Sequence, residues 1–197
     1  MGSPAGSISQ ARSTQINVAL FYTAGVDFTA TYHADLDDYF GSDSGALDLH
    51  LIGNHLDKVA MTPLPGQAPT DMSNEPGSPF WQFNIDASWS LDKWSVDYNW
   101  QWYNGVLNFT RQTVLSEPNV VAKNLIHTAD QNIHSIQVGY DASSEIHVYG
   151  GIDNLFYQKP SPNNDDIGYP VSPIGRFFYA GVKFNTDDFS DFSGLGL

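Results

Sequence analysis

Apolar and polar residues alternate along this chain over unusually long stretches. From Trp81 to Leu91 every odd position is apolar (Trp81, Phe83, Ile85, Ala87, Trp89, Leu91), and every even position is polar (Gln82, Asn84, Asp86, Ser88, Ser90). After Asp92-Lys93 the pattern resumes, with Trp94, Val96, Tyr98, Trp100 and Trp102 set against Ser95, Asp97, Asn99, Gln101 and Tyr103. A period of two over this length predicts strands with one face in an apolar medium and the other in a polar one. The first stretch, Ile16 to Leu36, holds one phase throughout, with Ile16, Val18, Leu20, Tyr22, Val26, Phe28, Tyr32 and Leu36 all at even positions. It predicts either one long strand or a hairpin with a very tight turn near Gly25.

Four further strands are predicted on the same basis. Besides the two tryptophan runs they are Ala46–Leu56 (Leu47, Leu49, Leu51 against Asp48, His50), Ile133–Asp141 (Ile136, Val138, Tyr140), Glu145–Asp153 (Ile146, Val148, Gly150, Ile152) and Phe177–Asn185 (Phe178, Ala180, Val182, Phe184 against Lys183). No segment shows a sustained 3.6-residue period with caps, so the chain is expected to be all-β. The connections alternate in length. Asp92-Lys93 and Ala142–Ser144 are tight turns. Asp57–Pro79, Asn104–Asn132 and Asn154–Arg176 are long and rich in Pro, Gly, Asn and Asp. An antiparallel up-and-down sheet with short turns at one end and long loops at the other is the pattern of transmembrane β-barrels.

The tryptophans bear on what the apolar medium is. Five of them, Trp81, Trp89, Trp94, Trp100 and Trp102, fall within one predicted hairpin and gather near its strand ends. From Trp81 to Trp89 is about 26 Å along a strand at ~3.3 Å per residue, or roughly 20 Å of height at ~40° tilt. That approaches the ~25 Å lipid band with its two aromatic girdles. A soluble core would be crowded by so many indoles. The five are therefore expected at the membrane interfaces. The alternative is a soluble β-sandwich or barrel that binds carbohydrate through surface aromatics.

Composition narrows the partners. Of 197 residues 15% are charged, below the ~25% of soluble domains. The net charge of −14, from 22 acidic and 8 basic residues, argues against nucleic acid, whose phosphates need Lys and Arg. Cysteine is absent, so there is no disulfide or thiolate site. No run of ~18 apolar residues predicts a transmembrane helix, and Met1–Arg12 shows no signal-peptide pattern. Seven antiparallel strands leave the first and last running the same way, so they cannot close on each other as an antiparallel pair. Either a hairpin within Ile16–Leu36 makes eight strands and a complete small barrel, or the chain is a slice of a larger one.

Three local patterns add a family resemblance. Thr23-Ala24-Gly25-Val26-Asp27-Phe28, Gly151-Ile152-Asp153-Asn154-Leu155-Phe156 with Lys159-Pro160, and Ile174-Gly175-Arg176-Phe177-Phe178-Tyr179-Ala180-Gly181-Val182-Lys183-Phe184 resemble strand segments of TonB-dependent outer-membrane receptors. Pro63–Gly66 through Pro79–Trp81 is similar to the link before a strand of that family. The resemblance spans most of residues 16–184. It implies a barrel of 22 strands, of which this chain supplies about the last seven. It also implies outer-membrane lipid, the plug and remaining strands, TonB acting through the plug, and a small nutrient of the siderophore, cobalamin or glycan class as partners. Two departures stand out: no plug segment is recognisable, and Phe184 is followed by the acidic, Gly-rich Asn185–Leu197 where the family ends on an aromatic residue. On this division residues 1–15 are a disordered leader, 16–184 barrel strands and 185–197 a tail.

No catalytic motif or cofactor fingerprint is found, so neither an enzyme nor a cofactor is expected. The histidines (His33, His50, His55, His127, His134, His147) lack metal-ligand spacing and are expected in the lumen or loops. Asp35, Asp37 and Asp38, and Asp165 and Asp166, are expected as solvated loop charge. Ligand contacts should come from the long loops and upper lumen wall, where Tyr103, Arg111, Asn163, Asn164 and Tyr169 are candidates by location.

Overall fold

A computed structural model describes residues 19–117, 119, 122–160 and 174–185. The strands are β1 (Leu20–Asp35), β2 (Ala46–Thr62), β3 (Thr70–Asp71), β4 (Trp81–Leu91), β5 (Trp94–Tyr103), β6 (Gln131–Asp141), β7 (Ile146–Asp153) and β8 (Phe177–Phe184). Two short helices, α1 (Asp37–Phe40) and α2 (Arg111–Ser116), lie in the connections. The sheet runs β1-β2-β4-β5-β6-β7-β8, all antiparallel, and β3 adds two residues to the upper part of β2. The all-β antiparallel fold is as the alternation predicts. The sheet is open: among the described residues β1 and β8 are edges that pair on one side only.

β1 is one continuous strand, not a hairpin. Its register on β2 passes from Ala24↔Lys58 to Gly25↔Leu56, so Asp57 is the extra residue of a β-bulge on β2. Gly25 therefore marks the bulge rather than a turn, and the possible eighth strand of a hairpin is not formed. A Cβ on Gly25 would overlap the His55 carbonyl, which explains glycine there. The eighth strand that does occur is the two-residue β3. The leader and most of the tail (1–15, 186–197) lie outside the described residues.

The registers put every predicted apolar phase on one face. Leu51, Ile85 and Trp100 are neighbours across β2, β4 and β5. Trp94, Tyr140, Val148 and Val182 continue the row across β5 to β8. Among the described residues no second layer covers this face. The buried apolar side chains among the described residues are Ala34, Val59, Ala60, Val106 and Leu107, and none of them lies on β4 to β8. Val138, Val148, Val182, Phe178 and Phe184 are exposed. Folding has aligned the apolar side chains without burying them.

Short and long connections segregate as expected. Asp92-Lys93, Ala142–Glu145 and the Leu36–Gly45 link lie at one end. Asp92 turns the tight hairpin at φ 54°, a left-handed conformation that Asp tolerates. In the Leu36–Gly45 link, Asp37 Oδ1 accepts the backbone N–H groups of Ser44 at 2.6 Å and Gly45 at 3.1 Å. Asp35 Oδ1 accepts from the Asp37 N–H at 3.2 Å, so Asp35 and Asp37 close a turn. The long connections gather at the opposite end.

Candidate functional site

The polar wall is built from the even positions of β4, the odd positions of β5 and β6, and their neighbours on β7 and β8. Side chains tie it together across strands. Asn99 Nδ2 donates to Asn84 Oδ1 at 2.8 Å and to Asp86 Oδ1 at 2.6 Å. Asn84 Nδ2 donates to Asp86 Oδ2 at 2.7 Å, and Ser88 Oγ donates to Asp97 Oδ1 at 2.7 Å. Gln101 Nε2 donates to Asn99 Oδ1 at 3.0 Å. Such a network orients its amides and carboxylates and leaves spare lone pairs for water or a solute.

Two concavities open on this wall. One, of about 500 Å³, is lined by Asp86, Asp97, Asn99, Gln101, Asp153 and Tyr179 among others. The second, of about 450 Å³, lies towards the short turns and includes Asp141, His147, Tyr149 and Lys183. Gln137 lines both, so the two adjoin. Carboxylates dominate the charge, and Lys183 is the one Lys or Arg side chain lining either concavity among the described residues. No group of three or more His, Asp or Glu able to hold a metal occurs among the described residues.

The connections 63–80 and 104–130 fold onto each other as a cap. Arg111, at the start of α2, donates its backbone N–H to Glu75 Oε1 at 2.7 Å and Nη2 to the Ser73 carbonyl at 3.3 Å. Its Nε lies 3.9 Å from Asp71. The Leu107 N–H donates to the Asn74 carbonyl at 2.8 Å, and Asn104 Nδ2 donates to Asn74 Oδ1 at 2.9 Å. Ser73, Asn74 and Glu75 are buried by these contacts. Hydrogen bonding from the Ser73 hydroxyl and then its backbone N–H, helped by Arg111 and Lys58, holds the Asp71 carboxyl below the usual carboxylate range.

The apolar face carries two aromatic rows. Towards the long loops, His55 stacks on Trp81 at 4.0 Å, Phe83 stacks on Trp102 at 5.2 Å, and Phe83 meets Trp100 edge-on at 4.9 Å. Trp100 stacks on His134 at 5.6 Å, and His134 meets Phe156 at 4.9 Å. Towards the short turns, Trp94 packs on Tyr140 at 4.7 Å, with Trp89 on the same side. Three polar atoms on this face are paired within the protein. Trp89 Nε1 donates to the Ser44 carbonyl at 2.9 Å, Trp100 Nε1 donates to Asn132 Oδ1 at 3.3 Å, and the Tyr98 hydroxyl lies 2.6 Å from His134 Nδ1.

The residues singled out from the sequence are dispersed. Tyr103 ends β5 on the polar wall, its hydroxyl 3.5 Å from Gln101 Oε1, and lines a separate 200 Å³ concavity with Asn54, Gln82 and Asn84. Arg111 is committed to the cap. Asn163, Asn164, Tyr169, Asp165 and Asp166 lie outside the described residues. The five tryptophans share the apolar face. His33, His50 and His147 take the polar side. His33 Nδ1 is 2.7 Å from Asp48 Oδ1, and His147 Nδ1 is 2.7 Å from Asp141 Oδ1. His55 and His134 instead join the aromatic row. Sequence reasoning passed over Gln137, Tyr149, Asp153 and Tyr179. The clue was a repeated Tyr-x-Gly, at Tyr149–Gly151 and Tyr179–Gly181, on successive predicted strands. In comparisons with family models, curated proteins and solved structures, nothing matches this chain.

Proposed function

We propose that this sheet is a wall segment of a transmembrane β-barrel in a bacterial outer membrane, of the kind that TonB-dependent receptors use for nutrient uptake. The apolar face lies against lipid, the polar wall lines a watery lumen, and the capped long loops face outward. The observation that carries this reading is the uncovered apolar face between two aromatic rows. In water such a face would have to find a second layer; in a bilayer it is already solvated. Between the rows lie Ile85, Ala87, Val96, Ile136 and Val138, aliphatic as the lipid band favours, together with Tyr98, whose hydroxyl is paired with His134. Pairing of the Trp89, Trp100 and Tyr98 polar atoms within the protein meets the demand of a medium that offers no hydrogen bonds.

The two edges favour a segment over a complete small barrel. β1 and β8 run in the same direction, so further strands are needed to close the wall as an antiparallel barrel. The resemblance of three local segments to strands of TonB-dependent receptors is what supports that family over other barrels. Transport would fall to the whole receptor, with this segment contributing wall and loops.

The test is solvent dependence. The chain is expected to keep its sheet signature in detergent micelles or lipid vesicles and to associate or precipitate in plain buffer. A monodisperse species in plain buffer, with tryptophans shielded from aqueous quenchers, would favour the soluble carbohydrate-binding alternative.

A further inference from the structure

Two tyrosines on the polar wall lie along the sheet instead of standing off it. The register of β7 on β8 sets Tyr149 opposite Gly181 and Gly151 opposite Tyr179. A Cβ on Gly151 would overlap the phenol end of Tyr179, and a Cβ on Gly181 would overlap that of Tyr149. Each ring is therefore laid across its partner strand, over the space a side chain would fill. This reciprocal cover protects the glycine backbone, and it leaves the other face of each ring towards the wall's concavities. His147 continues the row, its ring 6.0 Å from Tyr149 and over Gly139, while Tyr149 and Tyr179 are 6.4 Å apart.

Amide, hydroxyl and carboxylate groups flank these platforms. The Tyr179 hydroxyl donates to Gln137 Oε1 at 3.3 Å, and Gln137 joins the concavities of about 500 and 450 Å³. Each falls within the ~300–1,000 Å³ of small-molecule sites, and together they make a track along the wall. Flat rings that accept C–H faces, beside side chains that accept and donate hydrogen bonds, suit the two-sided chemistry of a sugar ring. The carboxylates Asp86, Asp97, Asp141 and Asp153 oppose an anionic ligand. Neutral groups such as Asn99, Gln101, Ser135 and Gln137 answer the mixed donors and acceptors of an uncharged one.

We propose that the polar wall over β5 to β8 binds a neutral oligosaccharide, with Tyr149 and Tyr179 as stacking platforms and Asp97, Gln137 and Asp153 as partners of the sugar hydroxyls. This rests on the reading of the polar wall as a water-filled surface, and it narrows the nutrient classes to a glycan. It concerns the opposite face from the tryptophans, which stay with lipid.

Isothermal titration of the full chain in a micelle without sugar headgroups (lauryldimethylamine oxide) tests it. The probes are maltohexaose and cellohexaose, with hexagalacturonate and hexalysine as anionic and cationic comparisons. At least one neutral hexaose should bind saturably and more tightly than either charged probe. Tyr149→Leu and Tyr179→Leu should each weaken it about tenfold, whereas Tyr149→Phe should stay within about threefold. If a leucine variant loses its sheet signature, Asp153→Leu carries the test, with a loss of about tenfold expected and unchanged binding counting against the proposal. Absence of neutral-sugar binding, tighter binding of a charged probe, or leucine variants that bind like the parent would overturn it. Tryptophan quenching by brominated lipid, with the same protein folded into vesicles, reports the lipid contact independently, so the two readings fail separately.

Discussion

On the apolar face, Trp100, His134 and Phe156 touch one another and Tyr98 pairs with His134, yet Val138 and Val182 stand exposed. On the other side of the same strands, Asn84, Asp86, Asn99 and Gln101 form a connected network and two tyrosines cover glycines. The first face ties the Trp89, Trp100 and Tyr98 polar atoms back into the protein and offers hydrocarbon. The second offers hydrogen bonds outward. A soluble half-buried sheet would put the hydrocarbon against a core, but among the described residues no buried apolar side chain lies on β4 to β8. On the proposed reading, the medium, more than a packed interior, completes the fold.

Changing adjacent residues should break this contrast most strongly. Ile136→Arg places a charge midway between the aromatic rows, level with Ala87 and Tyr98, and should cost ~2–4 kcal/mol of stability in lipid vesicles. Gln137→Arg, one residue away on the polar wall, should stay within ~0.5 kcal/mol. Denaturant titration in vesicles measures both, and equal costs would argue against a lipid face. Glycines make the next pair. Gly151→Val must displace the Tyr179 ring and should cost ~1–3 kcal/mol. Gly150→Val meets only ordinary contacts with Ala180 and the Tyr179 carbonyl and should be near neutral.

The cap offers smaller effects. Arg111→Ala removes the tie to the Ser73 carbonyl and should lower local stability by ~1 kcal/mol. The Leu107 amide should then exchange faster, with the sheet amides unchanged. Smallest is the effect of acid. Asp71 is held below its ordinary 3.8 by its bonds from Ser73, and it lies beyond the upper aromatic row. Its contribution is fully present above that ordinary value and is lost as pH falls through the depressed folded value. Protection of the Ser73 amide should therefore persist at pH 5 and fade only in stronger acid, as amide exchange would show.

The strand pattern was legible in the sequence because one repeating choice, apolar or polar, fixed the phase of each strand. β2 was underread because the bulge at Asp57 breaks that phase, hiding Asp57–Thr62. α2 escaped notice because six residues are too few to show a helical period, although the Thr110 hydroxyl accepts from the Thr113 N–H as an N-cap. The wall network follows from even positions in the Trp81 run once register is known. Tyr149 and Tyr179 were harder to see, since aromatics in the polar phase look like noise until pairing sets each against a glycine. The cap was not legible, because its ties join side chains to backbone groups across two loops.

The central claim is that the apolar face of β4 and β5 meets lipid. Single-tryptophan variants retaining Trp81, Trp94 or Trp102, folded into vesicles with lipids brominated at graded chain depths, test it most directly. The account predicts quenching of all three by shallow bromines, near the two interfaces, and weak quenching by an aqueous quencher. Strong quenching from water with none from any brominated lipid would contradict it.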